Sequence, residues 1–415
     1  MADIFVPEDF AAWQIHLRRM FHRRPEIGWC EYWTTSALAS ECRKMGLAPL
    51  VGREIMEDEG RLGLPDAGTR ADAAKAALTE EEGIPGADPA ILDRMGACTG
   101  ALVDLAPDRE PGLVIRCDID ALPVRECGSV THLPHASGFD SLKDGWCHAC
   151  GHDGHMAMVL GLARRLAAGE VRPQRNVLLI FEPAEETTGG AAPICATGLL
   201  ERYHVTRVFG MHLWPELPAG VIASRAGAMM SRSCELTVEI TGRSVHLARF
   251  AEGCDALDAA ARLLTRLYAL AEGKPCLLRF GKMESGSARN AVSDHTHLEG
   301  SLRCLDDGLY AALWEQAQAI GRSVGEETGC TVTMTCSSGY PPVTNDAALL
   351  AEVRERFPIA EAETTCITED FSEYQRHAPG VFFFLGTGGI ELHAPTFTFP
   401  EEILDRGEAL LCGLV

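Results

Sequence analysis

The residues with most chemical reach lie in one run, His148-Ala149-Cys150-Gly151-His152-Asp153-Gly154-His155. It combines soft sulfur with imidazole nitrogen and a carboxylate, a donor set suited to a borderline divalent metal such as zinc, manganese or cobalt. Gly151 and Gly154 let the backbone turn tightly enough for neighbouring side chains to converge. Chance clustering ahead of a helix would need three of the chain's 14 histidines to fall within eight positions.

Other polar residues stand where apolar runs end. Residues 113–117 read as a buried strand of the parallel type and deliver Asp118 and Asp120, at the strand end where α/β sheets keep their sites. Residues 176–181 form a second such run and deliver Glu182-Pro183-Ala184-Glu185-Glu186. In an extended segment adjacent glutamates diverge, so one can bind a metal while the other holds a water. Residues 205–210 lead to Met211-His212-Leu213-Trp214, and 380–386 lead towards His393. A lone histidine among apolar neighbours is more often a core residue; as one of a series at strand ends, His212 reads as a ligand. Cys150, His152, Glu186, His212 and His393 could thus serve one or two ions, with Glu185 left as a base for a water. The chemistry is metal-assisted hydrolysis: the ion acidifies the water and stabilises developing negative charge, and the carboxylate carries its proton to the leaving nitrogen.

Helices are predicted over 9–24 and 33–45, the first stopping at Arg24-Pro25. Residues 52–97 stand apart, polar and turn-rich over 53–66 and Ala-rich and helical over 71–82. They suit a solvated insertion, or an arm reaching a neighbouring subunit or an active-site mouth. From about Gly227 the pattern changes to strand 234–241, helix 255–271, strands 277–282 and 295–305, helix 309–326 and strand 330–337. This βαββαβ order is that of a ferredoxin-like α+β unit. The expected division is a catalytic α/β domain of 1–226 and 339–415, interrupted by a second domain of 227–338.

The length of 415 residues calls for two or three domains, and 46 % hydrophobic with 23 % charged residues is ordinary globular composition. No apolar run reaches the roughly 18 residues of a membrane span. The acidic N-terminus lacks the layout of a signal peptide, and the 16 cysteines are dispersed, several in apolar patterns (Cys117, Cys234, Cys304). A reducing cytoplasm is expected. A net charge of −22 argues against nucleic acid and anionic membranes as partners.

His-Ala-Cys-Gly-His-Asp-Gly-His, Pro-Ala-Glu-Glu, Met-His-Leu-Trp and the late Leu-His-Ala-Pro together resemble the amidohydrolase branch of the aminoacylase and carboxypeptidase-type metallopeptidases. That branch includes indole-3-acetyl-amino-acid, hippurate and aminobenzoyl-glutamate hydrolases. The resemblance runs from His22-Arg23-Arg24-Pro25-Glu26 to the C-terminus. It implies a phosphorylase/hydrolase-like α/β metallopeptidase domain with an inserted lid that mediates a homodimer, within which a higher homo-oligomer would be an extension. By this resemblance Cys150, His152, Glu186, His212 and His393 match metal ligands and Glu185 the general base, with Asp118 and Asp120 behind them. His246, in Gly242-Arg243-Ser244-Val245-His246, matches an oxyanion-stabilising histidine supplied across the dimer interface, and Asn290 a position near the substrate carboxylate. Residues 52–66 and Arg289 are similar to the aminobenzoyl-glutamate subgroup.

Two departures stand out. Bulky Leu247-Ala248-Arg249-Phe250 follows His246 where small residues and a proline are usual, and Glu182 replaces a usual glutamine. A pocket narrowed by Leu247 and Phe250, with Arg249 or Arg289 gripping an anionic group, would suit a compact aromatic acid. The leading expectation is hydrolysis of an aromatic acyl–amino acid amide of the aminobenzoyl-glutamate kind, using manganese, zinc or cobalt. The alternative is hydrolytic deamination of a small aromatic amine acid, as in nitroanthranilate aminohydrolases. A silent binding protein on the same fold is disfavoured by retention of Glu185 and all five ligand candidates.

Overall fold

The computed structural model describes residues 9–187 and 189–415; the acidic N-terminal stretch before Asp9 and Thr188 lie outside the described residues. The chain divides into two compact units, one of Met1–Gly227, Asn345–Ala362 and Glu373–Val415, the other of Ala228–Thr344 and Glu363–Ser372.

The first unit is built on an eight-stranded sheet. Its centre is four parallel strands in the order Asn176–Glu182, Gly112–Asp118, Val205–Trp214 and Gly380–Gly386. Their near-continuous Val, Ile, Leu and Phe content is what a sheet covered on both faces requires, and three of the four are buried at every position. The helix His152–Ala167 lies in the layer on this sheet, between Phe10–Arg23 and Leu404–Leu414. Phe10–Arg23 buries Trp13, Leu17 and Phe21 along one stripe, and Arg24-Pro25 ends it.

In the 52–97 section the helix is Ala67–Ala77, four residues ahead of the expected 71–82. The reason is local: Asp66 caps it by accepting from the amide of Thr69 at 3.0 Å. A second short helix, Pro89–Met95, starts at an Asp88 cap with proline in its first turn.

The second unit pairs its strands in the order Thr331–Cys336, Glu235–Thr241, His295–Cys304, Cys276–Ser285, all antiparallel. That is the order expected of a ferredoxin-like unit. The helices Ala256–Ala271 and Asp307–Thr328 supply Leu263, Leu267, Leu313 and Val324 to a core with Leu236, Val238, Ile240, Leu298 and Leu302. Among the described residues no helix is long and apolar enough to cross a membrane.

Candidate metal centre

The parallel register of Gly112–Asp118 and Asn176–Glu182 sets Asp118 beside Glu182 at the strand ends. Two residues on, the Asp120 carboxylate accepts the backbone amides of Glu185 at 3.2 Å and Glu186 at 3.0 Å. The segment is therefore a 3-10 turn over Glu185–Thr187 and not the extended run expected from the sequence. Ala184 initiates it with a φ of 59°, while its amide is held by the buried Glu31 carboxylate at 2.7 Å. A left-handed alanine costs on the order of 1 kcal/mol or more. The turn tolerates it because three amides are satisfied by two carboxylates.

Gly151, with a φ of 83°, precedes the helix His152–Ala167. A β-carbon there would stand 2.6 Å from Leu213 Cδ1, so only glycine lets the motif approach the His212 strand. On the other side His393, itself at a φ of 62°, donates its amide to Ala149 O at 2.8 Å. These contacts gather the side chains. Cys150 Sγ lies 3.4 Å from His212 Nε2 and 3.4 Å from His393 Nε2. Glu186 Oε1 lies 3.3 Å from His393 Nε2 and 3.9 Å from His152 Nε2. One ligand atom each from Cys150, Glu186 and His393, and one each from His152, Glu185 and Glu186, fall within 4.8 Å of one another.

These residues fit a divalent ion. Both ring nitrogens of His152 and Oε1 of Glu186 are buried without a hydrogen-bond partner, a cost of roughly 1–3 kcal/mol per group unless something else satisfies them. Donors each about 2.1 Å from one ion stand roughly 3–4 Å apart, the spacing seen here. His212 donates Nδ1–H to Leu213 O at 2.7 Å, which leaves Nε2 as a lone pair facing Cys150. His155 is otherwise engaged: Nδ1 meets Asp118 Oδ1 at 2.5 Å and Nε2 accepts the Leu213 amide at 3.0 Å. The field around His152 is negative. Burial opposes its charged form, yet Asp118, Asp120 and Glu186 push its pKa up to about 10. Burial and then the neighbouring Glu186 and Glu185 hold the Cys150 thiol well above its usual range.

In the second unit, His246 heads the 3-10 turn Leu247–Glu252 and its Nδ1 accepts the Ala248 amide at 3.2 Å. The proton then sits on Nε2, a donor. His246 pairs through its backbone with Ala291, and Leu247 donates to Asn290 O at 2.9 Å, so two motifs distant in sequence lie side by side. Asn290 and Arg289 are exposed on that turn, as are Leu247 and Phe250. Arg249 forks onto Glu252 of its own turn, Nε to Oε1 at 2.8 Å. The parts played by Arg116, Glu31 and His155 are not apparent from the sequence. A single arginine inside the buried strand Leu-Val-Ile-Arg-Cys is the available signal, because an interior guanidinium demands partners.

The sequence profile of Peptidase family M20/M25/M40 matches residues 114–415. A p-aminobenzoyl-glutamate hydrolase chain of Escherichia coli (strain K12) is 31 % identical over 412 residues, 94 % of this chain and 92 % of that one. The N-acetyl-L-cysteine deacetylase of Bacillus subtilis (strain 168) is 30 % identical over 325 residues, 75 % of this chain and 76 % of that one. A crystal structure of a dinuclear metal-binding M20 peptidase from Bacillus subtilis superposes with a TM-score of 0.76 at 26 % identity, covering 98 % of this chain and 97 % of that chain. With its clustered His, Cys and carboxylate donors, the chain belongs to Peptidase family M20/M25/M40 and is a metal-dependent hydrolase of amide bonds.

Proposed function

We propose that this enzyme hydrolyses the amide of an aromatic acyl–amino acid, aminobenzoyl-glutamate being the type, with Glu185 as general base. Cys150, His152, Glu186, His212 and His393 would hold one or two ions, manganese or zinc, with cobalt also compatible with the donors. A bound divalent ion supplies Lewis-acid polarisation of the carbonyl and lowers the pKa of water. Glu185 takes the proton of the attacking water and returns it to the leaving nitrogen. Asp120 holds both amides of the Glu185–Glu186 turn and so fixes the backbone from which base and ligand project; Asp118 holds His155. Nε2–H of His246, carried on a lid of 227–338 and supplied by a partner copy in a homodimer, donates to the carbonyl oxygen. Asn290 and Arg289, with Arg249 if it leaves Glu252, meet the substrate carboxylate. The setting is the cytoplasm.

The observation that carries the hydrolytic reading is the pair of unpartnered, fully buried His152 nitrogens facing Glu186 and Asp120. The aromatic preference is supported by the similarity to the p-aminobenzoyl-glutamate hydrolase chain over 94 % of this chain, and the 52–97 arm lies close to the Glu185–Thr187 turn. Its backbone at Leu62 accepts the Trp29 indole N–H at 2.6 Å, and a β-carbon on Gly63 would meet Thr187 O at 2.9 Å. The arm therefore rests on the Glu185–Thr187 turn, with Leu62 and Leu64 exposed beside it.

Product analysis tests this. Manganese-loaded protein should release glutamate and 4-aminobenzoate from 4-aminobenzoyl-glutamate. Ammonia from a ring-activated aminobenzoate would move the activity to deamination, and acetate release from N-acetyl amino acids alone would make it a deacetylase.

A further inference from the structure

Ala184 holds a backbone conformation that alanine resists, with a φ of 59° immediately ahead of Glu185. Its amide donates to Glu31 Oε1 at 2.7 Å. The other oxygen of Glu31 accepts from Thr99 Oγ1, also at 2.7 Å. Glu31 and Thr99 are both fully buried, so the carboxyl has a fixed neighbour on each side. The chain closes tightly around them. A β-carbon on Gly100 would stand 2.7 Å from Pro183 Cδ, and one on Gly28 would stand 2.8 Å from Thr187 Cγ2. The loop from Glu26 to Glu31 is tied in turn to the strand end that carries Asp120, where the Ala121 amide donates to Glu26 O at 2.8 Å.

An alanine released from such a bond relaxes towards negative φ, and the residues after it turn with it. Asp120 grips the next two amides but not this one. We propose that Glu31 is a positioning residue of the metal centre: through the Ala184 amide it keeps the backbone of Glu185 and Glu186 in place. It acts through the backbone and not as a ligand. The proposal rests on the reading of Glu185 as base and Glu186 as ligand. Burial, and after it the charge of Asp120, push the Glu31 carboxyl well above its usual range. A glutamine amide, with one acceptor and one donor group, can therefore take over both bonds. A leucine of similar size leaves the Ala184 amide orphaned.

Chelator-stripped full-length protein tests it, as wild type, Glu31→Gln, Glu31→Leu and Glu31→Leu/Ala184→Gly. Hydrogen exchange reads the amides of residues 184–186, and calorimetric titration with manganese alone reads the centre. Glu31→Leu should speed exchange across the turn about tenfold or more. It should also weaken manganese binding about ten- to hundredfold, as loss of an outer partner does. Glu31→Gln should stay close to wild type in both. Ala184→Gly added to Glu31→Leu should recover most of the manganese affinity, because glycine adopts a positive φ without help. Unchanged exchange or unchanged affinity in Glu31→Leu overturns the proposal. So does a double variant as weak as the single one, which would mark Glu31 as packing alone. If Glu31→Leu does not fold, Thr99→Val decides: it should speed exchange at Ala184 severalfold, and unchanged exchange overturns the proposal. A wild type whose turn exchanges as predicted but which binds no manganese defeats the metal-centre reading instead, so the two failures are distinguishable.

Discussion

At the scale of single residues, one carboxylate holds the backbone of two adjacent glutamates. Asp120 accepts both their amides, and the resulting turn sends Glu186 towards His393 and His152. Glu185 stays 8 % exposed at its side. If Glu185 moves the proton, Glu185→Gln should lower kcat by roughly three orders of magnitude or more, the range lost when a catalytic base is removed. Manganese affinity and substrate binding should hold within severalfold, since the amide is nearly isosteric. Equal losses in kcat and metal affinity would instead make Glu185 a ligand.

At the scale of elements, the centre is assembled by three backbone turns that side chains alone could not replace. Gly151 is the tightest. Gly151→Ala combines a φ of 83° with a β-carbon 2.6 Å from Leu213 Cδ1. It should cost on the order of 2 kcal/mol or more in urea unfolding and displace His152, with a loss of manganese affinity that distant destabilising changes do not share. The strand-end residues were legible in the sequence because buried parallel strands are continuous apolar runs, and whatever polar residue follows stands out. The 3-10 turn at Glu185–Thr187 was not, because it depends on Asp120 arriving from a neighbouring strand. Nor was the ion pair of Glu182 with Arg116, which exists only in the register that sets Asp118 against Glu182. The early start of Ala67–Ala77 is encoded in the Asp66 and Thr69 cap, which the alanine-rich run after it masks.

At the scale of the whole molecule, stability should depend on pH through a buried row behind the metal centre. Burial opposes the charge on Glu126, but its hydrogen bonds to His22 at 2.8 Å and to the Ser141 amide at 2.6 Å hold its pKa down at about 2. A depressed carboxylate stabilises the fold above its unfolded value near 4.5 and loses that contribution as pH falls towards 2. His22 is shifted the other way: burial lowers its pKa, but Asp153 and Glu126 outweigh that and raise it. Its share is complete below about 6.5 and is lost as pH rises through the folded value. Urea unfolding followed against pH should therefore fall by about 2 kcal/mol from pH 4.5 to 2 on account of Glu126, allowing for its partial exposure. Glu126→Gln should flatten that limb. An equally steep limb in the variant would place the acid sensitivity elsewhere.

Cys150, His152, Glu186, His212 and His393 are proposed to form one metal centre. Its most direct test is calorimetric titration of stripped protein with manganese and with zinc, repeated in buffers of different ionisation enthalpy. Binding should be stoichiometric, one or two ions with release of protons, because burial and the neighbouring glutamates keep the Cys150 thiol protonated until a metal displaces its proton. His152→Ala or Cys150→Ala should abolish the tight phase. Binding that survives both substitutions, or no binding at all, would contradict it.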